Sequence, residues 1–163
     1  MGIEKILGIR VNTKGMQTAL LHIEDNQIQN IDFDYFNTPI IYNFSDDISK
    51  ILKWHRNHLI TTIHSNNIKY ISIKRIERNS FMGRPKDNDI QRMYLEGMVL
   101  SLAGEYNLIN DSYYKTSLNK ILNSPNYEDK CRDLNQGTIN DLQIDSFAVA
   151  FALAKNNEVL NDN

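Results

Sequence analysis

The chain has 163 residues, of which 41% are hydrophobic, and a formal net charge of −2. This length fits one domain with a single hydrophobic core and leaves no room for a second. The small net charge excludes binding of nucleic acid through overall basicity, so any such binding needs a local patch of cations.

Three absences in the sequence bear on compartment and organisation. No apolar run reaches the roughly 20 residues that cross a bilayer, and residues 1 to 5 lack the pattern of a signal peptide. Cys131 is the single cysteine and has no partner for a disulfide. We therefore expect a cytoplasmic protein without a membrane partner, with one domain at residues 1–155 and a frayed polar tail at 156–163.

The first part of the chain predicts strands. Three segments rich in β-branched and apolar residues, at 6–11, 16–23 and 31–35, are separated by turn signals at 12–15 and 24–26. Three consecutive strands with such short connections most simply form an antiparallel meander.

Helices and strands alternate in the rest of the chain. A helix that begins at Ser45 or Asp46 and carries an apolar stripe to Ile63 precedes a strand at 69–74. The later patterns predict a helix at 88–106, a strand at 108–109, a short helix at 113–122, a polar loop at 123–138 and a final helix at 140–154. A meander continued by parallel strands through helical crossovers is an α/β fold, with a mixed five-stranded sheet flanked by helices.

This order of elements resembles the ribonuclease H-like (RNase H-like) superfamily, and three motifs resemble its RuvC-like branch of junction-resolving nucleases. The motifs are ILGIR at residues 6–10, YISIK at 70–74 and DLQIDSFAVA at 141–150. The segment from 75 to 118 also resembles a small group of bacterial RNase H-like proteins. The resemblance implies carboxylates at the ends of the first and fourth strands and in the last helix, which hold two divalent cations for phosphodiester cleavage.

Two of the three implied positions carry a cation instead, Arg10 in the first strand and Lys74 in the fourth. Divalent metal ions need anionic oxygen ligands, and fixed positive charges repel them. Asp145, with Asp141 one turn earlier, lies in an apolar helix where a buried carboxylate needs a partner. We therefore predict a degenerate site without metal or cofactor, in which Arg10 and Lys74 pair with Asp145. In the alternative interpretation, the two aspartates serve only the helix dipole.

Residues 74–86 form a local basic patch with one carboxylate, Glu77. The residues predicted to bind the phosphates and bases of DNA or RNA are Arg75, Arg78, Phe81, Arg84 and Lys86. A solvated charged loop is the alternative interpretation. If the chain were instead a divergent magnesium-dependent nuclease, Glu77 would replace the missing glutamate.

Other residues are assigned to packing. His55 and His58 share a helical face and are interpreted as packing histidines rather than metal ligands, and Cys131 as a loop cysteine rather than a reactive thiol. The aromatic stretch at 33–44 is interpreted as core and strand edge, with a dimer contact as the alternative. Three functions follow: a catalytically inactive module that binds nucleic acid or protein, a resolvase-like magnesium-dependent nuclease, and a homodimeric structural protein. The first is favoured because of Arg10 and Lys74.

Overall fold

The computed structural model describes residues 2–77, 83, 85–135 and 137–161. Within these residues the strands are β1 (Glu4–Val11), β2 (Gly15–Glu24), β3 (Gln27–Asn37), β4 (Tyr70–Lys74) and β5 (Ile109–Tyr113). The helices are α1 (Phe44–Asn66), α2 (Asp87–Glu105), α3 (Lys115–Ile121), α4 (Tyr127–Asn135) and α5 (Asp141–Asn156). None of these helices combines the length and the apolar character needed to cross a bilayer.

The five strands form one mixed sheet in the order β3-β2-β1-β4-β5. β2 pairs antiparallel with both β1 and β3, whereas β4 joins β1 in parallel and β5 joins β4 in parallel. The turn between β2 and β3 is the pair Asp25 and Asn26, both with positive φ, as a tight hairpin requires. The predicted α/β fold is confirmed, and β1 lies at the centre of the sheet beside β4.

Successive residues of a strand point to opposite sides of the sheet, and helices cover both faces of its central strands. Ile6 packs with α5 on one face, whereas Leu7 and Ile9 pack with α1 and α2 on the other. The carboxyl end of β1 therefore emerges between the start of α5 and the start of α2. This end of the sheet holds the candidate site.

Gly8 allows α5 to lie directly on β1. A Cβ at this position would stand 1.9 Å from the carbonyl oxygen of Ser146 and 2.8 Å from the Cβ of Ala150. The start of α5 is fixed by Asn140, whose side chain accepts from the Gln143 amide at 2.9 Å, while the Gln143 side chain accepts from the Asn140 amide at 3.0 Å. Close packing and capping together determine where Asp145 lies over the sheet.

The structure corrects the prediction for residues 127–135, which form α4 instead of a polar loop. Only Tyr127 and Cys131, one turn apart, are buried on this helix, and a stripe of two residues is too short to predict a helix. Cys131 is consequently a buried helical residue, and the prediction of a loop cysteine is wrong. Burial raises the pKa of its thiol to about 12.

Three element boundaries also differ from the prediction. The cap of α1 is Asn43, whose side chain accepts from the Ser45 amide at 3.0 Å. β5 continues to Tyr113 because it pairs with β4 along its whole length. The expected frayed tail is not found at 157–161, since Leu160 is buried and the Asn161 amide donates to the Asn26 carbonyl at 3.4 Å.

The packing role predicted for His55 agrees with the structure. Its side chain is fully buried in α1, and Nε2 lies 2.8 Å from the Thr38 hydroxyl. Burial, with repulsion from His58 as a smaller cause, lowers the pKa of His55 to about 4, so the ring is neutral at pH 7. His58 packs on Trp54, with 4.1 Å between ring centroids.

Replacing Gly8 by alanine is expected to lower the free energy of unfolding by about 3 kcal/mol or more, because the added methyl group meets the backbone of α5. The control is Gly97→Ala in α2, where an added Cβ meets no atom within 4 Å. Helix propensity predicts a gain of about 0.5–1 kcal/mol for the control. Urea unfolding followed by circular dichroism measures both, and an unchanged Gly8→Ala stability would contradict the close contact.

Candidate functional site

Polar side chains occupy neighbouring positions at the carboxyl end of the central strands. Arg10 pairs with Gln17 of β2, and Lys74 pairs with Tyr113 of β5. The pairing between β1 and β4 ends at Ile9 and Ile73. Arg10 and Lys74 are the next residues of the two strands, so the two cations stand side by side. The predicted adjacency of the two strand ends is confirmed.

Arg10 pairs with Asp145, as predicted. Its Nε donates to Asp145 Oδ2 at 2.8 Å, and Nη1 donates to the Val11 carbonyl at 2.6 Å. The other carboxylate oxygen, Oδ1, accepts from the Tyr127 hydroxyl of α4. The side chains of Arg10 and Asp145 are only 16% and 15% exposed. Burial, and the neighbouring charge of Asp145, raise the pKa of Tyr127, so its hydroxyl remains a donor.

Lys74 pairs with Glu77, and the predicted pair with Asp145 is wrong. Lys74 Nζ donates to Glu77 Oε1 at 2.7 Å, and the same oxygen accepts from the Lys115 amide at 2.7 Å. The chain after β4 brings this carboxylate back over Lys74, which is 5% exposed. Burial alone would raise the pKa of Glu77, but the two hydrogen bonds outweigh it and the net pKa is lowered. Glu77 therefore neutralises Lys74.

Asp141 does not join Asp145, which corrects its assignment to the degenerate site. It is the first residue of α5, its side chain is 93% exposed, and Arg132 Nη2 lies 3.3 Å away. A carboxylate at this position suits the helix dipole. The dipole interpretation thus fits Asp141, whereas Asp145 has specific partners.

The sequence did not single out Glu96 of α2, which is buried at the same end of the sheet. Its Oε2 accepts from Arg75 Nε at 3.1 Å and its Oε1 from the Ile76 amide at 2.9 Å. Burial raises the pKa of Glu96 despite the nearby arginines. The available sequence signal was Arg92 and Glu96 one helical turn apart. Arg75 Nε is thus engaged by Glu96, and the predicted contact of Arg75 with phosphate stays a prediction.

We call the set that surrounds the strand ends the strand-end centre. Its members are Arg10, Lys74, Arg75, Glu77, Arg92, Glu96, Tyr127 and Asp145. In the described ranges no group of three or more histidine, cysteine, aspartate or glutamate side chains is placed to hold a metal ion. Glu77 and Asp145 each have a separate cationic partner, and a metal ion between the strand ends would meet Arg10 and Lys74. The donor set does not fit two divalent cations.

The remaining predicted contacts belong to the loop that leads into α2. Lys86 is exposed directly before α2, and its amide donates to Asp89 at 3.4 Å. Arg78, Phe81 and Arg84 lie outside the described residues. Their assignment to nucleic-acid contacts stays a prediction.

A double-mutant cycle with Arg10→Gln and Asp145→Asn measures the central ion pair. We expect each single variant to lower the free energy of unfolding by about 2 kcal/mol or more, because it leaves a largely buried charge without its partner. The double variant should lose less than the sum, with a coupling energy of about 1–3 kcal/mol. Arg56→Gln and Glu105→Gln form the control cycle.

The control pair is also close, with Arg56 Nη2 2.7 Å from Glu105 Oε2, but both side chains are substantially exposed. Exposed pairs contribute below about 1 kcal/mol. A coupling for Arg10 and Asp145 no larger than that of the control would contradict the central role of the buried pair.

Known proteins resemble this chain in fold. No protein-family model and no curated protein matches the chain. Among solved structures, RuvC of Thermus thermophilus matches with a TM-score of 0.72 and 11% identity over 95% of this chain and 97% of that one. The yeast mitochondrial Holliday junction resolvase has a TM-score of 0.59 and 15% identity over 97% and 80%. The fowlpox virus resolvase, solved with Holliday junction DNA, has a TM-score of 0.53 and 12% identity over 93% and 97%. The chain therefore has the RNase H-like fold in its RuvC-like form.

Proposed function

We propose that this RNase H-like, RuvC-like domain binds nucleic acid and does not cleave it with metal ions. The observation that carries the proposal is the ion pair between Arg10 and Asp145. A cation stands where the resemblance implies a metal-binding carboxylate, and it engages the aspartate that remains.

Loss of metal-dependent cleavage follows from the chemistry of the strand-end centre. Two-metal hydrolysis uses carboxylates to hold both ions against the reacting phosphate. Here both oxygens of Asp145 are engaged, by Arg10 and Tyr127, and the carboxylate of Glu77 is engaged by Lys74. Freeing Asp145 would leave Arg10 largely buried without a partner, at a cost of about 3–5 kcal/mol for a fully buried pair. The centre therefore favours its own ion pairs over metal ions.

Nucleic-acid binding is supported by the cations that follow β4 in the chain. Residues 74–86 contain five lysines and arginines, of which Lys74 and Arg75 have carboxylate partners and Lys86 is exposed. Exposed cations bind phosphates and release counterions. The fowlpox resolvase of the same fold is bound to Holliday junction DNA, so a four-way junction is the first ligand to test. The proposal places the chain in the cytoplasm, which is in keeping with the unpaired thiol of Cys131.

A protein-binding function is favoured by a separate observation. Met93 and Tyr94 of α2 are 46% and 52% exposed, and they line an apolar groove with Leu52 and Met98. Exposed apolar patches mark protein contacts, including those between two copies of one chain. Failure of nucleic-acid binding would favour this second function.

The first test is incubation of the purified chain with Mg²⁺ or Mn²⁺ and labelled four-way junctions, duplex DNA, single-stranded DNA or RNA–DNA hybrids. We expect intact substrates on a denaturing gel, because the donor set does not fit the metal ions. The Asp145→Asn variant shows whether any cleavage comes from this chain or from a contaminating nuclease. Cleavage by the wild type that is lost in Asp145→Asn would establish the resolvase-like alternative.

The second test is fluorescence anisotropy with the same nucleic acids over a range of salt concentrations. We expect the logarithm of the affinity to fall linearly with the logarithm of salt, as phosphate contacts dictate. Replacing Arg78, Arg84 and Lys86 by glutamine should weaken binding and flatten the slope by roughly one unit per lost contact.

The matched control replaces three cations at the opposite end of the sheet by glutamine. Lys5 is the second residue of β1, Lys69 directly precedes β4, and Arg56 pairs with Glu105, the last residue of α2. The control has the same change in net charge and should keep the wild-type slope. Equal affinities and slopes for both triple variants would contradict the loop contacts, and no binding at low salt would contradict the proposed function.

A further inference from the structure

Two adjacent isoleucines stand almost fully exposed in the loop that joins β3 to α1. Ile40 is 101% exposed and Ile41 is 83% exposed, whereas the next most exposed large hydrophobic residue in the described ranges, Ile3, reaches 53%. Exposed apolar side chains that are scattered singly over a surface need no explanation, but a neighbouring pair at this exposure does. We call Ile40 and Ile41 the apolar tip.

Neither turn chemistry nor core packing explains the apolar tip. Its residues are the central pair of a β-turn, which is closed by the Tyr42 amide donating to the Pro39 carbonyl at 3.0 Å. Turn centres favour glycine, proline, asparagine, aspartate and serine, whereas β-branched side chains favour strands. Residues that break a local rule and add nothing to the core indicate a role in function.

The turn is held in place from both sides. The Thr38 amide donates to the Lys14 carbonyl at 2.8 Å, which ties the turn to the loop between β1 and β2. The Thr38 hydroxyl lies 2.8 Å from Nε2 of His55, which is fully buried in α1. After the turn, the Asn43 side chain caps α1 by accepting from the Ser45 amide at 3.0 Å. The apolar tip is therefore presented in a fixed position, so little conformational entropy is lost when it makes a contact.

The apolar tip projects from the end of the sheet that carries the strand-end centre. β3 runs in the same direction as β1, because β2 is antiparallel to both, so the turn after Asn37 lies at the carboxyl ends of these strands. Lys14, Asn37 and Asn43 are exposed and line one hollow together with Ile40. The apolar tip thus has a cation and two amide side chains beside it.

The small size of the apolar tip decides which kind of partner fits it. Its two side chains together are smaller than a myristoyl chain, which alone gives only marginal membrane binding. A stable protein interface buries on the order of 800 Å² per partner around an apolar centre, and two residues supply a small part of that area. Proteins that open a base step of DNA insert a narrow apolar wedge, and isoleucine is among the side chains they use.

We propose that the apolar tip inserts between two neighbouring bases at the branch point of a four-way DNA junction, with Lys14 against an adjacent phosphate. The inference deepens the proposed function and rests on it for DNA binding. Opening a base step costs stacking energy, which burial of the two isoleucines offsets. The branch point already interrupts the continuous stack of a duplex, so the apolar tip favours junctions over duplexes.

The test uses junctions that carry 2-aminopurine at the branch point, a base analogue whose fluorescence rises when it is unstacked. The wild-type chain should raise this fluorescence with saturation. The tip variant, Ile40→Ser with Ile41→Asn, should abolish the rise and weaken binding measured by anisotropy about tenfold or more, because apolar burial is lost. Its salt slope should equal that of the wild type, since no phosphate contact is removed.

The matched control is Ile3→Ser with Ile109→Asn, which changes two exposed isoleucines at the other end of the sheet. Ile3 directly precedes β1, and Ile109, 47% exposed, is the first residue of β5. This variant should keep the wild-type affinity and fluorescence rise. Lys14→Gln should keep the rise at saturation and flatten the salt slope by roughly one unit. Circular dichroism checks that every variant is folded.

The readouts distinguish failure of this inference from failure of the proposed function. If the junction binds without a fluorescence rise, or if the tip variant keeps the wild-type rise and affinity, the wedge is wrong and the proposed function stands. No DNA binding at low salt overturns both. Flotation with phosphatidylcholine–phosphatidylserine vesicles, or self-association in sedimentation, that only the tip variant loses would assign the apolar tip to a lipid surface or a second copy instead.

Discussion

The ion pair between Arg10 and Asp145 joins the centre of the sheet to the helix that covers it. The two residues are 135 positions apart, and their pairing also engages Tyr127, so one carboxylate ties β1, α4 and α5 together. A largely buried ion pair contributes little net stability compared with apolar packing, but it disfavours arrangements in which either charge loses its partner. The ion pair therefore fixes the position of α5 over β1, whereas the apolar residues of β1 and α5 supply the stability.

Two other cations of the strand-end centre, Lys74 and Arg75, each have a carboxylate partner of their own. Lys74 is balanced by Glu77 and Arg75 by Glu96, each over a short distance. These pairs form because the chain after β4 turns back over the strand end, so that residues 75–77 contact both α2 and the start of α3. The strand-end centre thus contains three separate cation–carboxylate pairs. Among the described members of the centre, Arg92 is the one with a buried Nε that lacks a hydrogen-bond acceptor.

The elements that bury a continuous apolar stripe were predictable from the sequence, whereas among the polar partnerships only the pairing of Arg10 with Asp145 was predicted. β1, β2, α1 and α5 show clear periodicity, whereas α4 buries only Tyr127 and Cys131 and was missed. The pairing of Arg10 with Asp145 followed from the expected fold and from the cost of a buried charge. Lys74 had two carboxylates available, Asp145 and Glu77. Which of the two carboxylates pairs with Lys74 depends on the course of the backbone after β4, and no local sequence pattern predicts that course.

The close contact at Gly8 has a consequence for the order in which the domain assembles. β1, β2 and β3 are joined by short turns and can pair locally, but the face of β1 that holds Gly8 is covered by α5, from the far end of the chain. Local pairings form quickly, and contacts between distant segments carry a larger entropic cost. During synthesis the sheet therefore keeps one apolar face open until residues 141–156 have been made. The apolar core on this face is completed only when α5 packs on β1.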